Sequence, residues 1–416
     1  MLSFQGNRRM RIALIQQTCT VYRARFFEKL SERLARKGFD LSVFFGRPQR
    51  GLTYSGIIPN PKCSSFKFDY KVLPKIAYEG KLPTSPFHWK RSLIFFPSLV
   101  FEIGHGKYDV TISDSTGELL NILPLLFVNK LILRKKFILW CGNNIKDNAP
   151  RANDSFIKKV AYVFARFIYR TADASIVYGQ ASKEFDVYMG VPSGRIFIAL
   201  NTIDTLYFEE AARTSKDQIE PLKRELGVAG REIILYVGVL EKRKKIENLV
   251  LAFKELRKSM NNVALLIVGD GPNRRDLELL CEREEIDDVH FLGKVGYDKM
   301  PLFYVLSDVF VLPSQGGIAV AEAMACGKPV IITRECNALR SIPNLVENGG
   351  NGFILKEDDV ASLSEHMAKI LSEPVLARKM GAKSKQMVET YFSIEKMLRG
   401  FEQAIDYVAS ETSGRD

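Results

Sequence analysis

Apolar residues along the first half of the chain recur with two different periods. A short apolar run at 12–15 precedes a longer segment, 22–37, in which Phe26, Leu30 and Leu34 recur four residues apart. The short run is typical of a buried strand and the longer segment of an amphipathic helix. The alternation continues and predicts further buried strands at 41–45, 109–113, 136–140, 174–178 and 196–200.

Two stretches interrupt this alternation. Residues 46–86 contain several Pro and Gly residues and predict an irregular insertion, and the polar, charged residues 201–230 predict a connector. A second series of strands then follows, predicted at 233–237, 264–268, 289–292, 309–312 and 329–332. Strands that alternate with helices are typical of a parallel sheet covered by helices on both faces.

We therefore predict an α/β fold with two Rossmann-like, doubly wound parallel-sheet domains. The N-terminal domain covers 1–205, a connector 206–227, the C-terminal domain 228–390 and a final helix 391–416. Ligands bind at the carboxyl ends of the strands in such sheets. Two domains of this kind therefore favour a two-substrate enzyme.

The composition is that of a folded protein without metal or disulfide staples. Of 416 residues, 46% are hydrophobic and 26% charged, which places the chain well away from disordered sequences. The six cysteines stand singly, without a C-x-x-C pair, and the four histidines lack H-E-x-x-H spacing. These spacings argue against a disulfide framework, a structural zinc site and a zinc hydrolase.

The chain is strongly basic, with 60 Lys and Arg residues against 48 Asp and Glu residues and a net charge of +12. Such a charge suits nucleic acid, anionic lipid or phosphorylated substrates. The basic residues are spread among acidic ones, without a zinc knuckle or RNP-like motif, which argues against nucleic acid. The most apolar stretch, 119–133, contains Pro124 and Lys130 and falls short of the ~20 apolar residues of a membrane span. We therefore expect a cytoplasmic protein.

One predicted helix, 151–170, suits peripheral binding to the inner face of a membrane. Lys159, Arg166 and Arg170 share one side of it by helical spacing. The aromatic residues expected beside them are Phe164, Phe167 and Tyr169. Such a face could rest on anionic lipid. The alternative is a core helix with a solvated basic edge.

The stretch 312–330 carries the clearest chemistry. A predicted strand ends just before two glycines, Gly316 and Gly317, and a helix starts near Ile318. Glycines let backbone N–H groups approach a ligand, and a helix start favours an anion such as a diphosphate. Glu322, one turn inside the helix, can accept hydrogen bonds from a diol such as ribose. The alternative is a plain strand–helix turn with a surface glutamate.

This stretch resembles the P-S-…-G-x-x-x-x-E-A-M-A-x-G-x-P-V-I signature of GT-B glycosyltransferases of family 4. Six further elements of the family pattern follow the same order along nearly the whole chain. They are Y-R-x-x-F-F-x-x-L at 22–30, N-x-x-D at 201–204, a G-R-L-x-x-x-K-like turn at 235–245, I-V-G-x-G-P at 267–272, F-L-G at 291–293 and E-x-G-x-x-G at 347–352. The resemblance implies a GT-B fold whose two domains face each other across a cleft, with a final helix that crosses back to the first domain.

The resemblance also implies a role for each matched position. Lys244 would contact the donor diphosphate and Glu322 would hold the ribose, as the two residues that carry catalysis. The alternative for Lys244 is one member of a solvated basic run, 242–245. The remaining donor-binding positions are Gly238, Arg243, Gly269, Gly271, Ser314, Gln315, Gly316, Gly317 and Ile318. The donor would be a UDP- or GDP-linked sugar, with no cofactor and no metal, because the sequence has no D-x-D motif.

The chain departs from the family pattern at two positions. Ser314 stands where the family often has a first glutamate, eight positions before Glu322, and Val239 stands where it has an arginine. The missing glutamate puts sugar identity in doubt. It need not abolish transfer, because retaining GT-B enzymes are usually described as using the departing phosphate to take the acceptor proton.

Acceptor binding is less clear from the sequence. In the family, acceptor loops lie at the strand ends of the first domain. The matching candidates here are Arg23, Asp114, Asn143 and Asn144. The alternative for each single polar residue of these loops is a turn former.

These inferences predict a retaining glycosyltransferase. It would move a sugar from a nucleotide-diphosphate donor to a glycan or lipid-linked acceptor in surface polysaccharide or lipopolysaccharide biosynthesis. Two alternatives stay open: a GT-B-fold nucleotide-sugar epimerase, and a non-catalytic partner protein, which Ser314 and Val239 would suit.

Overall fold

The computed structural model describes residues 9–17, 20–46, 66–74, 76–79, 92–114, 119–143, 145, 149–150, 154–314, 317–334, 345–356 and 358–413. These residues form two compact units. The first unit runs to Asn201 and also includes the C-terminal segment from Glu395, and the second unit is Thr202–Ile394.

The first unit is built on a seven-stranded, fully parallel sheet with the order β3-β2-β1-β6-β7-β8-β9. Two further strands, β4 and β5, form a separate antiparallel pair. The strands are β1 Met10–Gln16, β2 Phe39–Gly46, β3 Asp69–Leu73, β4 Ile76–Glu79, β5 Ser92–Phe95, β6 Val110–Asp114, β7 Lys136–Cys141, β8 Ala174–Val177 and β9 Ile196–Ile198. The helices before the domain junction are α1 Val21–Arg36, α2 Leu99–His105, α3 Leu119–Leu126 with a π-helical turn Phe127–Ile132, α4 Phe156–Thr171 and α5 Gln180–Met189.

The second unit repeats this plan with a six-stranded parallel sheet of order β12-β11-β10-β13-β14-β15. Its strands are β10 Glu232–Val237, β11 Val263–Val268, β12 Val289–Gly293, β13 Val309–Leu312, β14 Val330–Thr333 and β15 Gly352–Leu355. Its helices are α6 Thr205–Thr214, α7 Lys216–Glu225, α8 Ile246–Arg257, α9 Arg274–Arg283, α10 Met300–Leu306, α11 Ile318–Ala325, α12 Val360–Ser372 and α13 Pro374–Tyr391. The last helix of the chain is α14, Ile394–Ser413.

Both sheets reverse their strand order once, between β1 and β6 in the first unit and between β10 and β13 in the second. This is the doubly wound arrangement expected from the alternating pattern, and the predicted fold class is confirmed. A reversal point leaves a crevice at the carboxyl ends of the two strands beside it, where ligands of such sheets bind. We therefore expect ligands to bind near the residues that follow β1, β6, β10 and β13.

The structure differs from the expected pattern at β5 and β15, which were not predicted, and in two longer stretches. Within 46–86, predicted to be irregular, β3 joins the main sheet and β4 pairs with β5. Residues 206–227, predicted to be a connector, lie largely in α6 and α7 of the second compact unit. The pattern missed α7 because the stretch is polar and charged and contains Pro221, which disfavours a helix interior.

The C-terminal helix α14 packs on the first unit. Its Phe401 ring lies 4.9 Å from the rings of both Phe26 and Trp140. Gly400 permits close approach, because a Cβ there would come within 2.4 Å of the Ile198 carbonyl oxygen. Ion pairs border this contact, among them Arg33–Glu402 at 3.3 Å, Lys37–Asp406 at 2.7 Å and Lys136–Glu411 at 3.0 Å.

Among the helices of the described residues, none combines the length and apolar character required to cross a bilayer.

Candidate active site

Two glycine-containing loops meet at the carboxyl ends of β10 and β11. Gly269 has a φ of 131°, and a Cβ there would lie 1.8 Å from the carbonyl oxygen of Gly238. A Cβ on Gly271 would lie 2.4 Å from the carbonyl oxygen of Leu240. Both positions therefore require glycine, because backbone packs directly on backbone. The structure brings together the predicted donor-site glycines Gly238, Gly269 and Gly271.

The basic run after β10 forms a short 3-10 turn beside these glycines. Arg243 is exposed, and its Nε lies 2.5 Å from a carboxylate oxygen of Glu241. Lys245 takes a left-handed backbone conformation, with φ 49°, and its Nζ lies 2.5 Å from Asp358. Lys244 is half-buried in the same turn. The run is therefore an ordered loop at a strand end, where its cations can meet a ligand anion.

The third strand end carries the family signature. Ser314 is buried two residues after β13, and Gly317 is the N-cap of the eight-residue helix α11, which starts at Ile318. Gln315 and Gly316, two further predicted donor-site residues, lie outside the described residues. The first N–H groups of an α-helix lack intrahelical partners and form its positive end. This turn thus offers N–H donors at the point where the strand order reverses.

Glu322 lies on the second turn of α11 and is only 6% exposed. The phenolic hydroxyl of Tyr304, on α10, donates a hydrogen bond of 2.6 Å to its Oε2. Burial raises the pKa of Glu322 to about 7, while the hydrogen bond from Tyr304 opposes that rise. Within the described part of the chain, Oε1 has no hydrogen-bond partner. Glu322 is thus a buried carboxyl group with one oxygen left for a ligand.

Two predicted acceptor-side residues are buried in the first unit. Arg23, in the first turn of α1, places its guanidinium carbon 4.4 Å from the ring centroid of Trp140 and donates to the Tyr178 hydroxyl at 3.3 Å. Asn143, two residues after β7, donates from Nδ2 to the hydroxyl of Tyr169 at 2.9 Å. Both side chains are buried, whereas a residue that serves only to form a turn is usually exposed.

The other two predicted acceptor-side residues are Asp114 and Asn144. Asp114 is the last residue of β6, and its backbone therefore lies at the reversal point of the first sheet. Asn144 lies outside the described residues.

A second buried carboxyl group was not predicted from the sequence. Asp186 on α5 is fully buried and receives hydrogen bonds from the hydroxyl of Ser175 and the thiol of Cys141, the latter at 3.5 Å. Burial raises the pKa of Asp186 to about 7, and these two hydrogen bonds oppose the rise. The available signal was its spacing, because Asp186 shares the buried face of α5 with Ser182, Phe185 and Met189.

The described residues contain no cluster of three or more His, Cys, Asp or Glu side chains suited to an ion. The residues described above offer a ligand cations, backbone N–H groups and a carboxyl group.

Comparison with known proteins connects this geometry to a family. Residues 218–387 match the family model for glycosyl transferases group 1. This stretch belongs to that family. It contains the glycine loops, Lys244 and Glu322, so the resemblance drawn from the sequence motifs is confirmed.

Curated relatives align with part of the chain. N-acetyl-alpha-D-glucosaminyl L-malate synthase of Bacillus anthracis is 30% identical over 48% of this chain and 52% of its own length. Alpha-monoglucosyldiacylglycerol synthase of Acholeplasma laidlawii is 28% identical over 60% of this chain and 57% of its own length. The alignments thus span little more than half of these relatives.

Solved structures match almost the whole chain in fold. HepE of Anabaena, in complex with UDP, has a TM-score of 0.68 at 16% identity, over 95% of this chain and 100% of that one. WaaG, a glycosyltransferase involved in lipopolysaccharide biosynthesis, has a TM-score of 0.63 at 15% identity, over 93% of this chain and 98% of that one. These likenesses establish the GT-B fold of two Rossmann-like domains.

Proposed function

We propose that the chain is a retaining, metal-independent glycosyltransferase that moves a sugar from a UDP- or GDP-linked donor to a glycan or lipid-linked acceptor. The observation that carries the proposal is Glu322, a buried carboxyl group with one oxygen open to a ligand at the reversal point of the second sheet. It lies in a glycosyl transferases group 1 domain. The UDP bound to HepE adds support for a nucleotide donor.

The donor's diphosphate would bind at the strand ends beside Glu322. Lys244 and Arg243 supply positive charge after β10, and the start of α11, at Gly317 and Ile318, supplies N–H donors. Positive groups fixed before the reaction stabilise the negative charge that a departing diphosphate gains. The open oxygen of Glu322 would accept hydrogen bonds from the ribose hydroxyls. The buried hydroxyl of Ser314 would stand on the sugar side, where the family's first glutamate is missing.

Retention would follow from reaction on one face of the sugar. The bond between the anomeric carbon and the donor phosphate oxygen breaks, and the acceptor oxygen bonds to that carbon from the same side. The acceptor proton passes to the departing phosphate oxygen, so no protein base is required. Lys244 would hold the departing diphosphate throughout.

We propose a role in surface polysaccharide or lipopolysaccharide biosynthesis. A relative whose name denotes a glycolipid synthase and a neighbour involved in lipopolysaccharide biosynthesis both support an acceptor of the glycan or lipid class. On the first unit, Arg23 and Asn143 are the described candidates for contact with acceptor hydroxyl or anionic groups.

We also propose an anionic membrane surface as a partner, at the cytoplasmic face. Helix α4 has four basic residues and no acidic one. Its Phe156 is 80% exposed, and Val163, Phe164 and Phe167 are also exposed on it. Tyr169 was expected on this face, but it is buried in the core of the first unit, so that part of the prediction is wrong. Exposed apolar side chains beside basic ones suit binding to anionic lipid.

Vesicle sedimentation tests the membrane partner. The triple variant Val163→Ser, Phe164→Ser, Phe167→Ser should lose binding to vesicles that contain phosphatidylglycerol. The control is Val375→Ser with Tyr391→Ser, which removes exposed apolar side chains from the second unit. Equal binding of the triple variant and the wild type would refute this surface.

A thermal-shift screen tests the donor site. The protein is scanned with UDP, GDP and ADP, and then with their common sugar conjugates. A ligand present at a hundredfold excess over its Kd stabilises the folded state by about 2.7 kcal/mol, an easily visible shift. We expect one nucleotide to shift the transition of the wild type and of the control Glu365→Ala, an exposed glutamate on α12. The same nucleotide should not shift Glu322→Ala, and a wild type that responds to no nucleotide contradicts the proposal.

A further inference from the structure

We infer that Tyr304 is a positioning residue for nucleotide recognition, whose hydroxyl holds Oε2 of Glu322 so that Oε1 faces the ribose diol of the donor. This inference rests on the proposed function, because it takes Glu322 as the ribose-binding group. It adds a residue that no sequence motif marks, 18 positions before Glu322 and on a different helix.

The geometry of Tyr304 is that of a fixed support. Its side chain is fully buried, and its hydroxyl lies 2.6 Å from Oε2 of Glu322. Its ring packs edge-on against Phe208, with centroids 5.9 Å apart, and in a tilted arrangement against Phe310, with centroids 5.8 Å apart. Both of these rings are also fully buried. A ring held on two sides cannot swing away, so the hydroxyl stays at one point beside the carboxyl group.

The charged groups around α11 do not replace this contact. Glu209 on α6 and Lys385 on α13 influence the thiol of Cys326, at the end of α11, whereas Tyr304 is the group that acts on Glu322. The neighbouring strands β13 and β14 carry no titratable residue. Burial raises the pKa of the Cys326 thiol, so the thiol stays neutral. Among the described groups, Tyr304 is therefore the polar partner that orients this carboxyl group and opposes the rise of its pKa by burial.

The chemistry of the diol explains why ionisation matters. A carboxylate accepts hydrogen bonds at both oxygens, whereas a protonated carboxyl group gives up part of that capacity. Burial raises the pKa of the Tyr304 phenol far above its usual value, so it donates throughout the neutral range. Burial raises the pKa of Glu322 and that donated bond opposes the rise, so that the pKa lies at about 7. Without the bond, Glu322 would stay protonated to higher pH and would hold a diol less well.

The experiment compares nucleotides with and without the diol. Wild type and Tyr304→Phe are titrated with UDP and with 2′,3′-dideoxy-UDP from about pH 5.5 to 8.5, by calorimetry, and the same is done with the GDP pair. The control is Tyr207→Phe, which removes a phenolic hydrogen bond to the Asp298 carbonyl within the same aromatic cluster. The ratio of the two Kd values within one protein cancels any general loss of folding.

In the wild type we expect the preference for the diol nucleotide to grow as pH rises through about 7. Tyr304→Phe should move the midpoint of that curve to higher pH and weaken diol binding about tenfold at pH 7, while dideoxy binding stays within about twofold. Tyr207→Phe should follow the wild type.

The two possible failures are distinguishable. A wild type that binds both nucleotides of each pair equally at every pH would remove Glu322 from the ribose and overturn the proposed donor site. A wild type that prefers the diol, together with an unshifted midpoint in Tyr304→Phe, would overturn only the role of Tyr304.

Discussion

Among the described residues, the buried carboxyl groups of Asp186 and Glu322 have the same raised pKa and opposite surroundings. Asp186 in the first unit receives hydrogen bonds from Ser175 and Cys141, which reach both of its oxygens. From the part of the chain that the structure describes, Glu322 in the second unit receives one, from Tyr304, on Oε2. In each case burial raises the pKa to about 7. A buried acid whose oxygens are both satisfied holds a core together, whereas one with an open oxygen is prepared for a ligand.

The sharpest test of this contrast is nucleotide affinity. Glu322→Ala should weaken binding of the responsive nucleotide about a hundredfold, because the ribose hydroxyls lose a charged acceptor in a site of low dielectric. Asp186→Asn should bind the same nucleotide with unchanged Kd. Calorimetric titration of both variants measures the difference. A large loss in Asp186→Asn would mean that the first-unit acid also serves the donor.

The second test measures stability, for which we expect Asp186 to be the important residue of the two. Asp186→Ala leaves the hydroxyl of Ser175 and the thiol of Cys141 buried without their acceptor, and it opens a small cavity. We expect the free energy of unfolding to fall by about 2–4 kcal/mol. Chemical denaturation measures it, with Asp217→Ala, in the first turn of the polar helix α7, as the control. A loss under about 0.5 kcal/mol would show that the network adds nothing to the core.

The sequence predicted Glu322 but not Asp186, and the difference has a physical reason. Glu322 was found because the glycines and the helix start that surround it lie in one short stretch, and this spacing is visible along the chain. Asp186 was missed because its partners come from β7 and β8, and they meet it only after the sheet forms. Tyr304 was missed for the same reason, since its contact with Glu322 joins two helices on either side of β13.

The fold shows the same difference between features that lie in one short stretch and features that join distant residues. The alternating period predicted both parallel sheets, because buried strands are short apolar runs whatever their partners. It missed α7, which holds Pro221 and no fully buried residue, and β3, a five-residue strand whose first four side chains are exposed or only partly covered. Register and strand order depend on distant pairings, which local pattern does not contain.

The third expected effect is a change in how stability depends on pH. Both carboxyl groups have a folded-state pKa of about 7, above the values near 4 of an unfolded chain. The folded state therefore binds more protons than the unfolded state between about pH 4 and 7. Their contribution to stability is full below about pH 4 and is lost as pH rises through 7, by at most about 1.4 kcal/mol per pH unit for each group.

Thermal unfolding between about pH 5 and 8 separates the two groups. Asp186→Asn and Glu322→Gln should each flatten the slope of Tm against pH relative to the wild type. Saturating nucleotide should flatten only the part that Glu322 contributes, because ribose hydroxyls that donate to its carboxylate lower its pKa and leave Asp186 untouched. A nucleotide that flattens the slope of Glu322→Gln as well would place the ligand-linked proton elsewhere, and the contrast between a satisfied acid and an open one would not hold.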